Sequence, residues 1–371
     1  MKKFVALLLA LVMVFALCAC GNTATTPEDK TPAAEESAAP AENGDSAAAS
    51  TPTTTDEAKA AGRKILVMNQ HNSKESTNGQ FTQYFVDYVN NNSDTLWIDV
   101  YYNGELGGIQ ETLEGAIMGT IDIGGCSFAQ LATFYPEMEV WSMPYLYTDP
   151  YEGAKIVDLE KNTLLAEMID KCNEVSGMTI FALNYSIDAR QLTCNFPVYS
   201  PADLKGAKIR CITNPVYTMC IEGMGGTPIP IDWTETISAL TTGTVVGQEN
   251  PYATLASYQM WDCQKYVMET NHMFDFAANY ICTDTWNGLT DAEKQVLRDG
   301  VAAQQQFQNE TLEANKEEYK QLLIDNGMTI ITAEDGLDVD AFKAGVDALK
   351  EKNYPQYAEY FDYIANYLAN Y

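Results

Sequence analysis

Histidine is almost absent from this chain: of 371 residues only His71 and His272 are His. No H-E-x-x-H, no G-x-S-x-G, no P-loop and no dinucleotide glycine fingerprint occurs. The glycine-rich stretches Gly104–Gly108 (GELGG) and Gly223–Gly226 (GMGG) carry neither the lysine nor the strand-loop-helix spacing of a phosphate loop. This inventory points away from an enzyme and away from a nucleotide or other cofactor. Basic residues are scarce as well, 22 Lys and Arg against 51 Asp and Glu, for a net charge of −29. Nucleic acid phosphates would be repelled by such a surface, so a nucleic acid partner is excluded. A small anionic ligand is not, because the field inside a site is set by its nearest groups. The nine cysteines include no C-x-x-C pair. That spacing fits neither a complete disulfide framework nor a zinc site, and no metal is expected. Most of these cysteines are expected to be small buried hydrophobes, with one or two bridges left open.

Long apolar runs are confined to the N-terminus. Lys2 and Lys3 precede Phe4–Leu17, a nearly pure apolar run of signal-segment length that is short for a membrane span. It ends in Leu17-Cys18-Ala19-Cys20-Gly21, which resembles a bacterial lipobox and makes Cys20 the expected lipidation site after removal of residues 1–20. Loss of Lys2 and Lys3 would leave 20 basic and 51 acidic side chains, a charge of −31. Residues 21–62 are rich in Ala, Thr, Ser, Pro and Glu with no large apolar residue, and are expected to form a disordered tether. Fully extended, such a tether reaches roughly 140 Å. Signal, lipid and tether together predict an extracytoplasmic protein anchored to the cell membrane but not embedded in it.

The remainder alternates. Lys64–Asn69 reads as a buried strand, Gly79–Ser93 as a helix with Phe81, Phe85, Val86 and Val89 on one face, and Leu96–Tyr102 as a second strand. Ile109–Met118 returns to helical spacing and Thr120–Ser127 to a strand. This β-α-β-α-β order predicts a largely parallel sheet flanked by helices. Thr179–Tyr185 and Arg190–Asn195 read as further strands, Asn214–Met224 and Asp232–Thr242 as helices, and Thr244–Pro251 as a strand and loop. Thr290-x-x-Glu293 has capping-box spacing, and the helical pattern after it continues to Asp325-Asn326, with Gly300 a possible bend. A helix of about 37 residues is roughly 55 Å long, more than one small domain needs, so it is expected to bridge two. The expectation is a two-lobed α/β fold with this helix spanning both lobes: lobe I from 63–187 and 276–315, lobe II from 188–275 and 316–371. A cleft between lobes is the natural place for a small ligand.

Between residues 173 and 256 the cations are Arg190, Lys205, Lys208 and Arg210. In Lys208–Ile212, alternation sets Arg210 on one face and Ile209 and Cys211 on the other. A buried guanidinium must be paired, because its desolvation costs several kcal/mol. The partner is either an internal Asp or Glu or a ligand carboxylate, for which the planar fork of Arg is suited. Arg190 faces the same two alternatives.

At this point several ordered motifs resemble one family. Arg190–Asn195 (RQLTCN), Asp203–Arg210 (DLKGAKIR), Gly223–Gly243 and Gly247–Pro251 (GQENP), with GELGG, Met118–Gly125 (MGTIDIGG) and Met143–Asp149 (MPYLYTD), are similar to the solute-binding proteins of TRAP transporters, the DctP-like family. The resemblance covers about residues 64–350. It implies a periplasmic-binding-protein-like fold and a small organic acid as ligand. It implies delivery to DctQ-like and DctM-like membrane subunits. It also implies site residues: Arg210 as the carboxylate clamp, Arg190 as a second contact, Asn250 as a hydrogen-bond donor to the same carboxylate, Trp233 as a pocket wall, and Gln70, His71 and Glu75 as polar contacts to the rest of the ligand. One departure is present: Val246 stands where family members often carry Asp. The alternatives are a binding protein for a different transporter or sensor, and a secreted hydrolase.

Overall fold

The computed structural model describes residues 51–371. The expectations for the signal segment, for lipid on Cys20 and for the tether up to residue 50 lie outside the described residues. The last part of the expected tether differs from the reading above, because Thr55–Ala60 is a helix. Its start is capped by the Thr54 hydroxyl, which accepts from the Glu57 amide, and by the Glu57 carboxylate, which accepts from the Thr53 amide at 2.7 Å. Ala58 is fully buried. The Thr55 hydroxyl donates to Asp99 and accepts from the Trp97 indole. A small residue and two hydroxyl bonds dock this turn without any large apolar side chain, which is the signal the sequence reading required.

The strands are β1 (Lys64–Asn69), β2 (Leu96–Tyr101), β3 (Ile123–Ser127), β4 (Met178–Tyr185), β5 (Arg190–Cys194), β6 (Lys208–Cys211), β7 (Thr227–Pro230), β8 (Gly247–Pro251), β9 (Tyr266–Met273), β10 (Phe276–Cys282) and β11 (Thr329–Ile331). They form two sheets, ordered β2-β1-β3-β10-β4 and β11-β9-β5-β8-β6-β7. In the first, β1 pairs parallel with β2 and β3, as the β-α-β-α-β alternation requires, and β10 enters antiparallel between β3 and β4. In the second, β6 is parallel to β7 and β8, while β5 is antiparallel to β8 and β9. Phe85, Val86 and Val89 of the helix Thr77–Asn92 pack with Leu66, Ile98 and Ile123 of the first sheet.

The chain crosses between the two lobes at Ser186–Ala189, at Phe274–Asp275, along the helix Asp291–Asp325 and again before the final helix, at residues 354–357. That helix begins at the Thr290/Glu293 capping box. It packs against the helix Thr77–Asn92 and β4 of the first lobe, and against the helix Tyr252–Ser257 and β11 of the second. Gly300 is a point of close approach: a Cβ there would lie 3.0 Å from Phe85 and Val89. The helix Val339–Asn353 packs on the second-lobe helix Pro215–Gly223. The final helix, Ala358–Asn370, instead returns to the first lobe, where Tyr367 donates to the Lys155 carbonyl at 2.7 Å and Tyr357, just before it, to Glu139 at 3.1 Å. Residues 358–370 therefore lie against the first lobe rather than the second. No helix among the described residues is long and apolar enough to cross a membrane. All seven cysteines among the described residues are free, six of them buried.

Candidate functional site

Between the two sheets lies a cavity of about 300 Å³, lined from the first lobe by residues such as Gln70, His71 and Asn184 and from the second by Arg210, Trp233 and Asn250. Arg210 reaches it because of strand alternation. On β6, Ile209 and Cys211 are fully buried in the main apolar core. The Arg210 side chain leaves from the opposite face, and the residue is only 2% exposed. Its Nε donates to the Ile231 carbonyl at 2.9 Å. No other hydrogen bond and no ion pair holds this guanidinium among the described residues. The Trp233 ring lies 5.8 Å from its central carbon, close enough for a weak cation–π contact. Burial pushes the Arg210 pKa down to about 10 against the pull of the Glu249 charge, so it remains cationic at neutral pH. A buried cation without a counter-charge is costly.

Arg190, which the resemblance places beside it as a second ligand contact, is occupied differently. It lines the cavity wall, but its fork is committed to the protein. Nε and Nη2 bind the Glu249 carboxylate, Nη2 also donates to the Glu249 carbonyl at 2.7 Å and to Asn250 Oδ1 at 3.1 Å, and Nη1 donates to Asp275 Oδ2 at 2.7 Å. The cause is register. Arg190 and Glu249 lie on the adjacent antiparallel strands β5 and β8, every residue of both strands is buried, and Asp275 sits in the nearby lobe crossover. Burial alone would raise the Glu249 carboxyl, but the Arg190 charge and the His272 ring, 3.2 Å away, hold it down at about 2. Tyr217 completes the cluster by donating to Asp275 at 3.2 Å.

Asn250 also lines the cavity. Its Oδ1 accepts from Arg190 and its Nδ2 donates to Gln248 at 2.5 Å, which leaves one amide hydrogen uncommitted. Trp233 opens the helix Trp233–Thr241, whose N-cap Asp232 accepts from the Thr234 amide at 3.0 Å. It stacks edge-on against Tyr258, with ring centroids 4.7 Å apart. Gln70 bridges Thr82 and Asn72 at the rim. His71 lies with Nε2 3.3 Å from the Gly125 carbonyl, a contact that needs the proton on Nε2. Its Nδ1 is buried without a partner, and burial lowers its pKa and keeps the ring neutral. Glu75 is exposed and stands outside the cavity lining; its carbonyl accepts from Gln80 in the first turn of the following helix. Val246, at the position where an Asp is common, packs against the apolar core.

Sequence reasoning missed Glu249, Asp275, His272 and Tyr217, and it missed β9 and β10, which carry or flank two of them. The sequence carried no signal for the pair, since the full burial of the strand holding Glu249 and its place beside the strand that opens with Arg190 are set by the fold.

Two α/β lobes, four crossings of the chain and a cavity between them define the class of two-lobed binding proteins. The chain belongs to the DctP family, bacterial extracellular solute-binding protein family 7, whose family model matches residues 68–356. It is 26% identical over 274 residues to the ectoine-binding periplasmic protein TeaA of Halomonas elongata, covering 73% of this chain and 79% of that one. Among solved structures it is similar to a TRAP periplasmic solute-binding protein from Roseobacter denitrificans with bound L-galactonate, at 22% identity and a TM-score of 0.74, covering 81% of this chain and 98% of that one. It is also similar to one from Polaromonas sp. JS666 bound to D-erythronate, at 24% identity and a TM-score of 0.73, covering 83% and 99%.

Proposed function

We propose that this protein is the extracytoplasmic binding component of a TRAP transporter, held at the membrane by lipid on Cys20, and that it captures a small organic acid without turnover. The ligand carboxylate pairs with Arg210 through two parallel charge-assisted hydrogen bonds. Asn250 adds its uncommitted amide hydrogen, and Trp233 forms the adjoining wall. Arg190 acts one step back, bracing Asn250 and occupying the neighbouring carboxylates so that they do not neutralise Arg210. Lobe closure then excludes water from the ion pair and strengthens it, and the closed form is the one delivered to DctQ-like and DctM-like membrane subunits.

The observation that carries this reading is a buried, cationic Arg210 in the interlobe cavity with no carboxylate in ion-pair contact among the described residues. The family membership and the acids bound by the similar structures support the ligand class. A thermal-shift screen of carboxylic acids on the purified protein, repeated with Arg210→Ala, tests it. The expected result is a ligand-dependent shift that the variant loses, because truncating one partner of a buried charge pair costs roughly 2–5 kcal/mol. Equal binding by the variant rejects the clamp.

A further inference from the structure

The stretch Gly104–Gly108, which is no phosphate loop, lies where the first lobe meets the second. It is a fixed seat. Buried Asn69 donates to the Gly107 carbonyl at 2.9 Å and to Thr112 at 2.6 Å, and its Oδ1 accepts from the Leu106 amide at 3.3 Å. Against this seat stands the second-lobe segment Ile231–Thr234. A Cβ on Gly104 would lie 3.1 Å from Thr234 Cγ2. One on Gly108 would lie 3.2 Å from Asp232 Oδ2 and 3.0 Å from Glu111 Oε2. Gly108 has a φ of −72°, which any residue adopts, so its missing side chain supplies room for the carboxylate of the other lobe.

We propose that Asp232 is a positioning residue for capture: its one carboxylate caps a helix in each lobe, and this latch holds the cleft shut over the bound acid. The inference rests on the reading of the cleft as the ligand site and deepens it. Asp232 Oδ1 accepts from the Thr234 amide at 3.0 Å and from the Thr234 hydroxyl at 2.8 Å, the N-cap of its own helix Trp233–Thr241. Across the cleft, the helix Ile109–Met118 has Gly108 at its N-cap and no side-chain cap of its own, so its first amides need an outside acceptor. The Asp232 carboxylate takes the Ile109 amide. Burial would raise this carboxyl, but the Thr234 bonds and the Ile109 amide hold it below its usual range. Two positive helix ends suit the anion.

The latch bears on the clamp through its neighbours in sequence. The Ile231 carbonyl accepts from Arg210, and the Trp233 ring lies against the same guanidinium. Seating Asp232 on the first lobe therefore fixes both groups that orient Arg210. Opening of the cleft must break the Ile109 bond, whereas the Thr234 bonds stay within one lobe.

Asp232→Asn separates the two roles. Asparagine caps its own helix as well as aspartate does, but in place of the second oxygen it turns an NH2 donor toward the Ile109 amide, itself a donor. Gly108→Val keeps an allowed backbone and sets a side chain where the carboxylate sits. The probe is the acid giving the largest wild-type thermal shift in a screen that includes L-galactonate and D-erythronate. Stopped-flow release of that acid is expected to be about tenfold faster in both variants, as for loss of a hydrogen bond to a charged group. Association should stay within about twofold, and the melting temperature without acid should stay close to that of the parent. In the complex, hydrogen exchange at the Ile109 amide should rise in Asp232→Asn while the helix Trp233–Thr241 keeps its protection. Unchanged release in both variants overturns the latch, and if Asp232→Asn folds poorly, Gly108→Val alone decides. Arg210→Ala separates the two readings. Binding lost in Arg210→Ala with unchanged release in the latch variants sinks the latch only. Binding that survives Arg210→Ala, with faster release in the latch variants, sinks the clamp and leaves the latch standing. Failure of every acid to bind the wild type overturns both.

Discussion

Two arginines that look alike in the sequence have opposite electrostatic fates. Arg190 and Arg210 are 3% and 2% exposed, yet one has two carboxylates and the other has only a carbonyl. The difference is built by Glu249, which stands on β8 two residues from the position facing Arg190, reaches its guanidinium diagonally across the strand pair, and also meets His272. Its folded pKa of about 2 lies below the ordinary value of 4.5, so the fold favours the ionised form. That contribution to stability is complete above about pH 4.5 and is lost as pH falls toward 2. In Glu249→Gln the slope of unfolding free energy between pH 5 and 3 should flatten. Stability at pH 7 should drop by about 3–5 kcal/mol, the usual cost of breaking a buried pair, nearer the lower figure because Asp275 remains. Denaturant titrations at several pH values give both quantities; an unchanged slope would show that Glu249 is not the carboxylate held down by Arg190. The sequence disclosed that Arg210 is set apart from its apolar neighbours by alternation. It did not disclose which arginine has an internal partner, because that depends on strands β5 and β8, 59 residues apart at the Arg190–Glu249 pair, lying side by side.

Among the elements, those with strong local signals were legible. The β1-to-β3 alternation, the helices that start at Asn214 and Asp232 and the Thr290/Glu293 capping box all stand where residue type and spacing put them. The helix Thr55–Ala60 was not legible, since one alanine and two hydroxyl bonds leave no periodic pattern, and β9 and β10 were passed over. Gly300 suggested a bend from the sequence, whereas its use is to let Phe85 and Val89 approach the long helix. The same device joins the helices Pro215–Gly223 and Val339–Asn353. A Cβ on Gly223 would lie 2.6 Å from the Val346 backbone, and one on Gly345 would lie 2.2 Å from the Gly223 carbonyl. Gly223→Ala must therefore push the two helices apart. The expected loss is about 1–3 kcal/mol from overpacking, read as a lowered denaturation midpoint, even though alanine is the better helix former. A variant as stable as the parent would mean that this crossing is loosely packed.

At the scale of the whole molecule, the two lobes meet over the cavity as well as through their crossovers. Tyr258, from the second lobe, accepts from the Ser73 amide at 3.0 Å and donates to Asn72 Oδ1 at 3.0 Å in the first. The loop that carries Gln70 and His71 is thus tied to the wall that carries Trp233, which packs on the same tyrosine. Tyr258→Phe keeps the ring and removes the bridge. Its expected effect is faster ligand release with little change in association, a loss of about 0.5–1.5 kcal/mol for the missing hydrogen bonds. Stopped-flow dissociation measurements would read it, and unchanged release would mean that the bridge does not hold the lobes over the ligand. The two-lobed plan and the bridging helix were legible because length and periodicity are chain-wide properties. The return of Ala358–Asn370 to the first lobe was not, because tyrosines at helical spacing do not say which surface they cover. The most direct test of the central claim is a crystal structure of the complex with the tightest-binding acid. The account predicts its two carboxylate oxygens about 2.7–2.9 Å from the terminal nitrogens of Arg210, with the Arg190–Glu249–Asp275 cluster intact. A carboxylate seated elsewhere, with Arg210 still bonded only to the Ile231 carbonyl, would contradict it.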